Sequence, residues 1–115
     1  MSAVRTEADG GFSAHCAFPA GFTGFRGHFA GKPVLPGVCL VQAALVLAER
    51  AGGEPLRLLE VASAKFFRPV LPEVEVLLSG SVRREEAGTL VLKVRVTGND
   101  SRIADFALRC EAETR

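Results

Sequence analysis

The chain has 115 residues, of which 48% are hydrophobic, and its formal net charge is +1. This length predicts a single domain, and the near-neutral charge without a basic stripe excludes a dedicated nucleic-acid binder. The polar residues 1–10 contain neither the apolar run of a secretion signal nor a membrane span, so we expect a cytoplasmic protein. We expect residues 1–10 to be a flexible N-terminus and residues 11–115 to form the domain.

The three cysteines are widely spaced and odd in number. Cys16, Cys39 and Cys110 therefore fit neither a disulfide framework nor a Cys-x-x-Cys metal site, and we expect free thiols and no metal. Cys39 lies beside a predicted helix N-terminus, a place that activates thiols. No second base lies near it in the sequence, which disfavours a nucleophilic role.

The first predicted element is a strand at residues 11–18. Alternate positions there are apolar, with Phe12, Ala14 and Cys16 on one side, which is typical of a half-buried strand. His15 points to the other side in this pattern. We therefore expect His15 to be exposed or at an interface.

Residues 25–38 come next and contain three glycines and two prolines in fourteen positions. Pro33 and Pro36 fix the backbone and suppress helix before Gly37, so the segment is predicted to be a stiff loop ending at a helix N-terminus. Such an end carries unpaired N–H groups and partial positive charge. A histidine held near these donors, here His28, is a minimal site for polarising a carbonyl and moving a proton.

A helix is predicted over residues 38–51, where apolar side chains occur on all sides, and Gly52 and Gly53 end it. A helix of this composition is typically enclosed by its surroundings. Its one uncharged polar side chain is Gln42. We therefore expect the helix to be buried inside a sheet.

Beyond the helix the apolar period changes from 3.6 to 2 and predicts four more strands, at residues 58–67, 74–83, 90–97 and 103–113. Short turns between consecutive strands favour antiparallel pairing. The predicted class is α+β, with an antiparallel sheet of about five to six strands wrapped around one long central helix. The high apolar content predicts that another subunit covers part of the surface.

Residues 27–38 (GHFAGKPVLPGV) and residues 65–72 (KFFRPVLP) resemble two landmarks of the hotdog-fold beta-hydroxyacyl-acyl-carrier-protein dehydratases of the FabA/FabZ type. The chain is particularly similar to the short dehydratases of aryl-polyene pathways. The resemblance implies a hotdog fold in which two copies join their sheets. It also implies that an acyl chain carried on phosphopantetheine, from an acyl carrier protein or coenzyme A, enters between the subunits without any further cofactor.

The same resemblance assigns roles to individual residues. His28 takes the proton alpha to the thioester carbonyl, and the N–H groups of Gly37 and Val38 donate to that carbonyl. Phe29 and Pro36 lie beside the substrate. Together these residues imply the dehydration of a beta-hydroxyacyl thioester to the trans-2-enoyl thioester in fatty-acid or polyketide-like biosynthesis.

One position departs from the family pattern. Gln42 stands where the family places an acidic side chain on the central helix, and a carboxamide cannot give up a proton. Gln42 is either an amide that orients the substrate or a hydrogen-bonded polar group in a buried helix. Glu49 is no obvious substitute, because it lies two helical turns further along.

Other functions remain open at this point. An acyl thioesterase on the same fold would let water attack the carbonyl, and a non-catalytic acyl-binding subunit would pair with an active hotdog partner that supplies the missing acid. The assembly is then a homodimer, a higher oligomer of dimers, or a heterodimer. Several cations are candidates for docking an acidic carrier protein or are merely scattered over the surface: Arg26, Lys32, Lys65, Arg68 and Arg84.

Overall fold

The computed structural model describes residues 1–19, 21, 35 and 37–113. Its elements in chain order are β1 (Arg5–Thr6), β2 (Gly11–Cys16), α1 (Gly37–Gly52), β3 (Leu56–Phe66), β4 (Val76–Arg84), a short 3₁₀ helix (Glu86–Gly88), β5 (Thr89–Gly98) and β6 (Ser101–Ala112). The predicted helix and the five predicted strands are all present. The two-residue β1 pairs with β2 and has no counterpart in the sequence pattern.

The strands form one antiparallel sheet in the order β1-β2-β4-β5-β6-β3. Helix α1 contacts both β2 and β3, which lie towards opposite edges of this sheet. The sheet must therefore curve around the helix. The predicted α+β architecture, an antiparallel sheet around one helix, is confirmed.

The period-2 pattern sets which face of each strand is buried. Strand β5 shows this most clearly, because Leu90, Leu92, Val94 and Val96 face the core while Lys93 and Arg95 face solvent. The same alternation places one row of each neighbouring strand in the core: Phe12, Ala14, Cys16, Val76, Leu78, Ala104, Phe106, Leu108 and Cys110. Apolar side chains on one face of the sheet thus provide the surface on which α1 packs.

Helix α1 buries one side only. Leu40, Val41, Ala44, Leu47 and Ala48 enter the core. Val38, Gln42, Val46 and Arg50 are exposed and recur every four residues, so they form one stripe along the helix. We call these four residues the open stripe. The expectation of a fully enclosed helix is wrong for the single chain, because the sheet covers only the opposite side.

Candidate functional site at the start of the central helix

Helix α1 begins at Gly37, and its first turn contains no acidic residue. The first N–H groups of a helix lack intrahelical acceptors and carry partial positive charge. Val38 is 61% exposed. The start of α1 is therefore suited to bind a carbonyl oxygen on which negative charge develops.

The aromatic ring of Phe66 lies against Gly37. A Cβ atom at position 37 would stand 2.5 Å from Cζ and 2.8 Å from Cε1 of Phe66, distances that no real Cβ tolerates. A side chain at position 37 would therefore fit only if the ring of Phe66 moved. The ring also packs at a tilt against Phe106, with 5.5 Å between the ring centroids.

The segments that carry the two sequence landmarks meet in space. The N–H of Leu35 donates to the carbonyl of Val70 at 3.1 Å, and both side chains are buried. The N–H of Phe67 donates to the carbonyl of Ile103 at 2.8 Å. The chain entering the helix, the end of β3 and β6 are in this way tied together beside Gly37.

Gln42 is exposed on the open stripe, one turn beyond Val38. Within the residues the structure describes, its carboxamide has no hydrogen-bond partner. In the single chain, Gln42 is therefore neither buried nor hydrogen-bonded to any described residue. An exposed amide on the same face as the helix start can instead reach a bound molecule.

Glu49 is engaged elsewhere. Its Oε2 accepts a hydrogen bond from the N–H of Leu56 at 2.7 Å, which links the end of α1 to the start of β3. This carboxylate has a structural partner two turns away from Gln42. The geometry agrees with the inference that Glu49 does not replace the missing acid.

The described histidine is paired elsewhere, and two of the three cysteines are buried. His15 is exposed as expected, and its Nδ1 pairs with Oε1 of Glu75 at 2.8 Å. All three cysteines are free. Burial raises the pKa of the Cys16 and Cys110 thiols, and for Cys110 the charge of Glu49 adds to this effect, so both stay protonated. No cluster of three potential metal ligands occurs among the described residues.

Three predicted site residues, His28, Phe29 and Pro36, lie outside the described residues and stay predictions. The structure places Val38 and Gln42 on one face of α1, with Gly37 beside Val38 at the start of the helix. The sequence reasoning missed Phe66 as a site residue, although the landmark at residues 65–72 contains it. Only the contact with Gly37, which joins positions far apart in the chain, reveals its role.

The candidate docking cations do not form one group. Lys65 and Arg68 flank the Phe66–Phe67 pair near the start of α1. Arg84 ends β4 and lies near Gly52 and Glu54, at the other end of the helix. Arg26 and Lys32 lie outside the described residues. Lys65 lies on the outer face of the sheet beside Lys93 and Arg95, so a docking surface near Gly37 can include Arg68 but not Lys65 or Arg84.

An antiparallel sheet curved around one central helix defines the hotdog fold, and solved structures agree. The dehydratase heterocomplex ApeI:P from Xenorhabdus doucetiae superposes with a TM-score of 0.76 at 19% identity, covering 94% of this chain and 93% of that one. The Escherichia coli PaaI protein of the phenylacetic acid degradation operon gives 0.71 at 16% identity, covering 97% and 79%. At these identities the likeness shows the fold alone.

The family model of ApeI-like dehydratases matches residues 4–107. The chain belongs to this family, which confirms the resemblance drawn from its sequence. Among curated relatives, the 3-hydroxyacyl-acyl-carrier-protein dehydratase FabZ of Haemophilus influenzae (strain PittEE) is 36% identical over 94 residues, or 75% of this chain and 64% of that protein. FabZ of Polynucleobacter necessarius is 29% identical over 98 residues, or 79% and 66%. The match thus spans about two thirds of the relatives' length.

None of the helices in the described part of the chain combines the length and the apolar character needed to cross a membrane.

Proposed function

We propose that this protein dehydrates a beta-hydroxyacyl thioester, carried on the phosphopantetheine arm of an acyl carrier protein, to the trans-2-enoyl thioester. Membership in the ApeI-like dehydratase family and the likeness to FabZ dehydratases support this proposal. The observation that carries it is the open start of α1, where the exposed Val38 lies on the same stripe as Gln42 and next to Gly37.

In the proposed reaction the thioester oxygen accepts hydrogen bonds from the N–H groups of Gly37 and Val38. These donors stabilise the negative charge that moves onto the oxygen when the base removes the alpha proton. His28 is assigned as that base. The electron pair of the broken C–H bond then forms the new C=C bond while the beta C–O bond breaks, and the leaving hydroxide takes up a proton to become water.

Among its described residues, this chain lacks an evident acid to supply the proton that the leaving hydroxide takes up. The Gln42 amide can donate a hydrogen bond to the leaving hydroxyl, but it cannot protonate it. His28 must then return the proton that it removed. Because general acid assistance typically contributes about 10² to 10⁴ in rate, a homodimer without it should be slow.

A second candidate is a heteromeric enzyme in which this chain pairs with a related hotdog subunit that provides a carboxylate. Two observations favour it: the amide at position 42, and the likeness to a solved structure described as a dehydratase heterocomplex. In that assembly this chain would offer Gly37, Val38 and His28, and the partner would offer the acid.

The proposed contact between subunits is the free edge of β3. Among the described residues, this eleven-residue strand ends the sheet, and it is exposed along most of its length. Leu59, Val61 and Phe66 in the strand and Phe67 just after it are 44–51% exposed. An exposed, apolar edge strand can pair with another chain, so we propose that β3 joins two sheets, in a homodimer or a heterodimer. We propose that Arg68, which follows this strand, contributes to docking an acidic carrier protein.

The decisive assay uses the purified protein with a beta-hydroxyacyl carrier-protein thioester and measures enoyl product and free thiol separately. We expect the wild type to form enoyl product. His28→Ala should abolish this activity, and Gln42→Glu should increase it about 10²-fold or more. Release of free thiol without enoyl product would instead indicate a thioesterase. Inactivity of both wild type and Gln42→Glu, with activity gained on adding a hotdog partner, would favour the heteromeric enzyme.

A further inference from the structure

A cavity of about 180 Å³ lies at the opposite end of α1 from the candidate site, between the helix and the inner face of the sheet. Its inner wall is apolar and includes Phe12, Leu90 and Leu92, all at most 5% exposed. Helix α1 has sixteen residues, so the cavity is roughly 20 Å from Gly37. None of Gly37, Val38 and Gln42 lines it.

The cavity exists because the helix presents small residues where larger ones would fit. Ala48, Ala51 and Gly52 form its helical side. A Cβ atom at Gly52 would meet no atom within 4 Å. The floor of the cavity is buried, whereas Thr6, Glu7 and Arg84 at its rim are exposed. The space is therefore open to solvent on one side, and a ligand can enter it.

The lining determines which ligands fit. The volume is close to that of an apolar cavity of about 150 Å³ that binds benzene in another protein, so the apolar floor suits a single ring or a short hydrocarbon chain. At the mouth, Glu7 and Glu54 face a single cation, Arg84. The C-terminus of α1 adds partial negative charge. Carboxylates and phosphates, including a phosphopantetheine arm, are disfavoured there.

We propose that this cavity is a second binding site, separate from the thioester site, for a small uncharged hydrocarbon. The site is defined by the inner wall and the alanines of α1 and does not depend on the dehydratase activity. A hydrocarbon bound in this cavity would make apolar contacts with the lining side chains that are absent when the cavity is empty. A ligand that binds only the folded protein also raises its melting temperature.

The test uses benzene as the probe, with benzoate as the charged analogue. Benzene at ten times its dissociation constant should raise the melting temperature of the wild-type protein by about 5 °C, and benzoate should not. Ala51→Leu fills the cavity and should abolish the shift, whereas Ala107→Leu, on the outer face of β6, should keep it. No benzene shift in the wild type, or an equal shift in Ala51→Leu, would overturn the proposal.

A measurement on the unmodified protein keeps the test valid should Ala51→Leu not fold. Magnetisation transfer by NMR from benzene protons should reach the methyl groups of Leu90, Leu92 and Val82, which line the cavity. Transfer confined to Val38 or Val46 on the open stripe would place benzene at the candidate site and would contradict the proposed second one.

Discussion

At the start of α1 a single pair of residues, Gly37 and Phe66, sets how near the end of β3 comes to the helix. The ring leaves no room for a Cβ at position 37. Because Phe66 is also 51% exposed, it can yield by moving outward, away from Phe106. A substitution at position 37 is therefore expected to move the wall of the candidate site more than it unfolds the protein.

Gly37→Ala should lower the free energy of unfolding by about 1 kcal/mol. Enoyl production should fall by more than the loss of folded protein accounts for, because the displaced ring no longer borders the helix start. The control is a double-mutant cycle by urea denaturation. In a Phe66→Ala background the same substitution should cost almost nothing in stability. Equal costs in both backgrounds would show that the two residues do not interact.

Glu73 illustrates a different kind of local constraint. Its φ angle is 63°, in the left-handed region, where a residue with a Cβ is strained. This conformation costs roughly 1–2 kcal/mol for an ordinary L-residue, against roughly 0.5–1 kcal/mol of extra entropy for glycine. Glu73→Gly should therefore raise the free energy of unfolding by about 0.5 kcal/mol.

The matched control is Glu73→Ala, which removes the same carboxylate but keeps the Cβ. It should give no gain in stability by urea denaturation. A gain in Glu73→Ala equal to that in Glu73→Gly would trace the effect to the lost charge and not to the backbone.

At the scale of elements, the junction between α1 and β3 depends on the hydrogen bond from the Leu56 N–H to Glu49. Hydrogen bonds to charged groups contribute about 1.5–3 kcal/mol, so Glu49→Ala should destabilise the protein by about that amount. Glu49→Gln keeps an acceptor and should lose less. Both variants should retain the activity of their folded fraction, measured alongside thermal unfolding.

This pair of variants also tests the assignment of the missing acid. A large loss of enoyl production in Glu49→Gln, with stability unchanged, would show that Glu49 supplies the proton after all. The position of Glu49, two turns beyond Gln42 and bonded to β3, argues for the structural role.

At the scale of the whole molecule, the proposed assembly depends on the exposed edge of β3. Val61→Lys places a charge in the exposed apolar edge and should weaken self-association about tenfold or more, as seen by analytical ultracentrifugation. Enoyl production should fall with the fraction of dimer. Leu77→Lys, in the interior strand β4, is the control and should leave association unchanged.

The sheet could be predicted because its strands carry a period-2 pattern that burial on one face imposes, as in Leu90 to Val96 of β5. The open stripe could not be predicted. Val38 and Val46 are apolar, and the sequence does not distinguish an apolar residue covered by its own sheet from one covered by another molecule. The contact between Phe66 and Gly37 joins distant positions and leaves no local signal. At the candidate site, Gln42 was identified from its place after His28, and the role of His28 itself remains a prediction.

The strand order has a consequence for how the molecule forms. Strands β4, β5 and β6 are consecutive in the chain and lie side by side, whereas β2 and β3 reach β4 and β6 only across long stretches of sequence. Short loops close at lower entropic cost, so the β4–β6 meander should acquire protection first in pulse-labelling hydrogen exchange, with β2 and β3 later. The candidate site, which needs the end of β3 against the start of α1, would then be the last part of the protein to form.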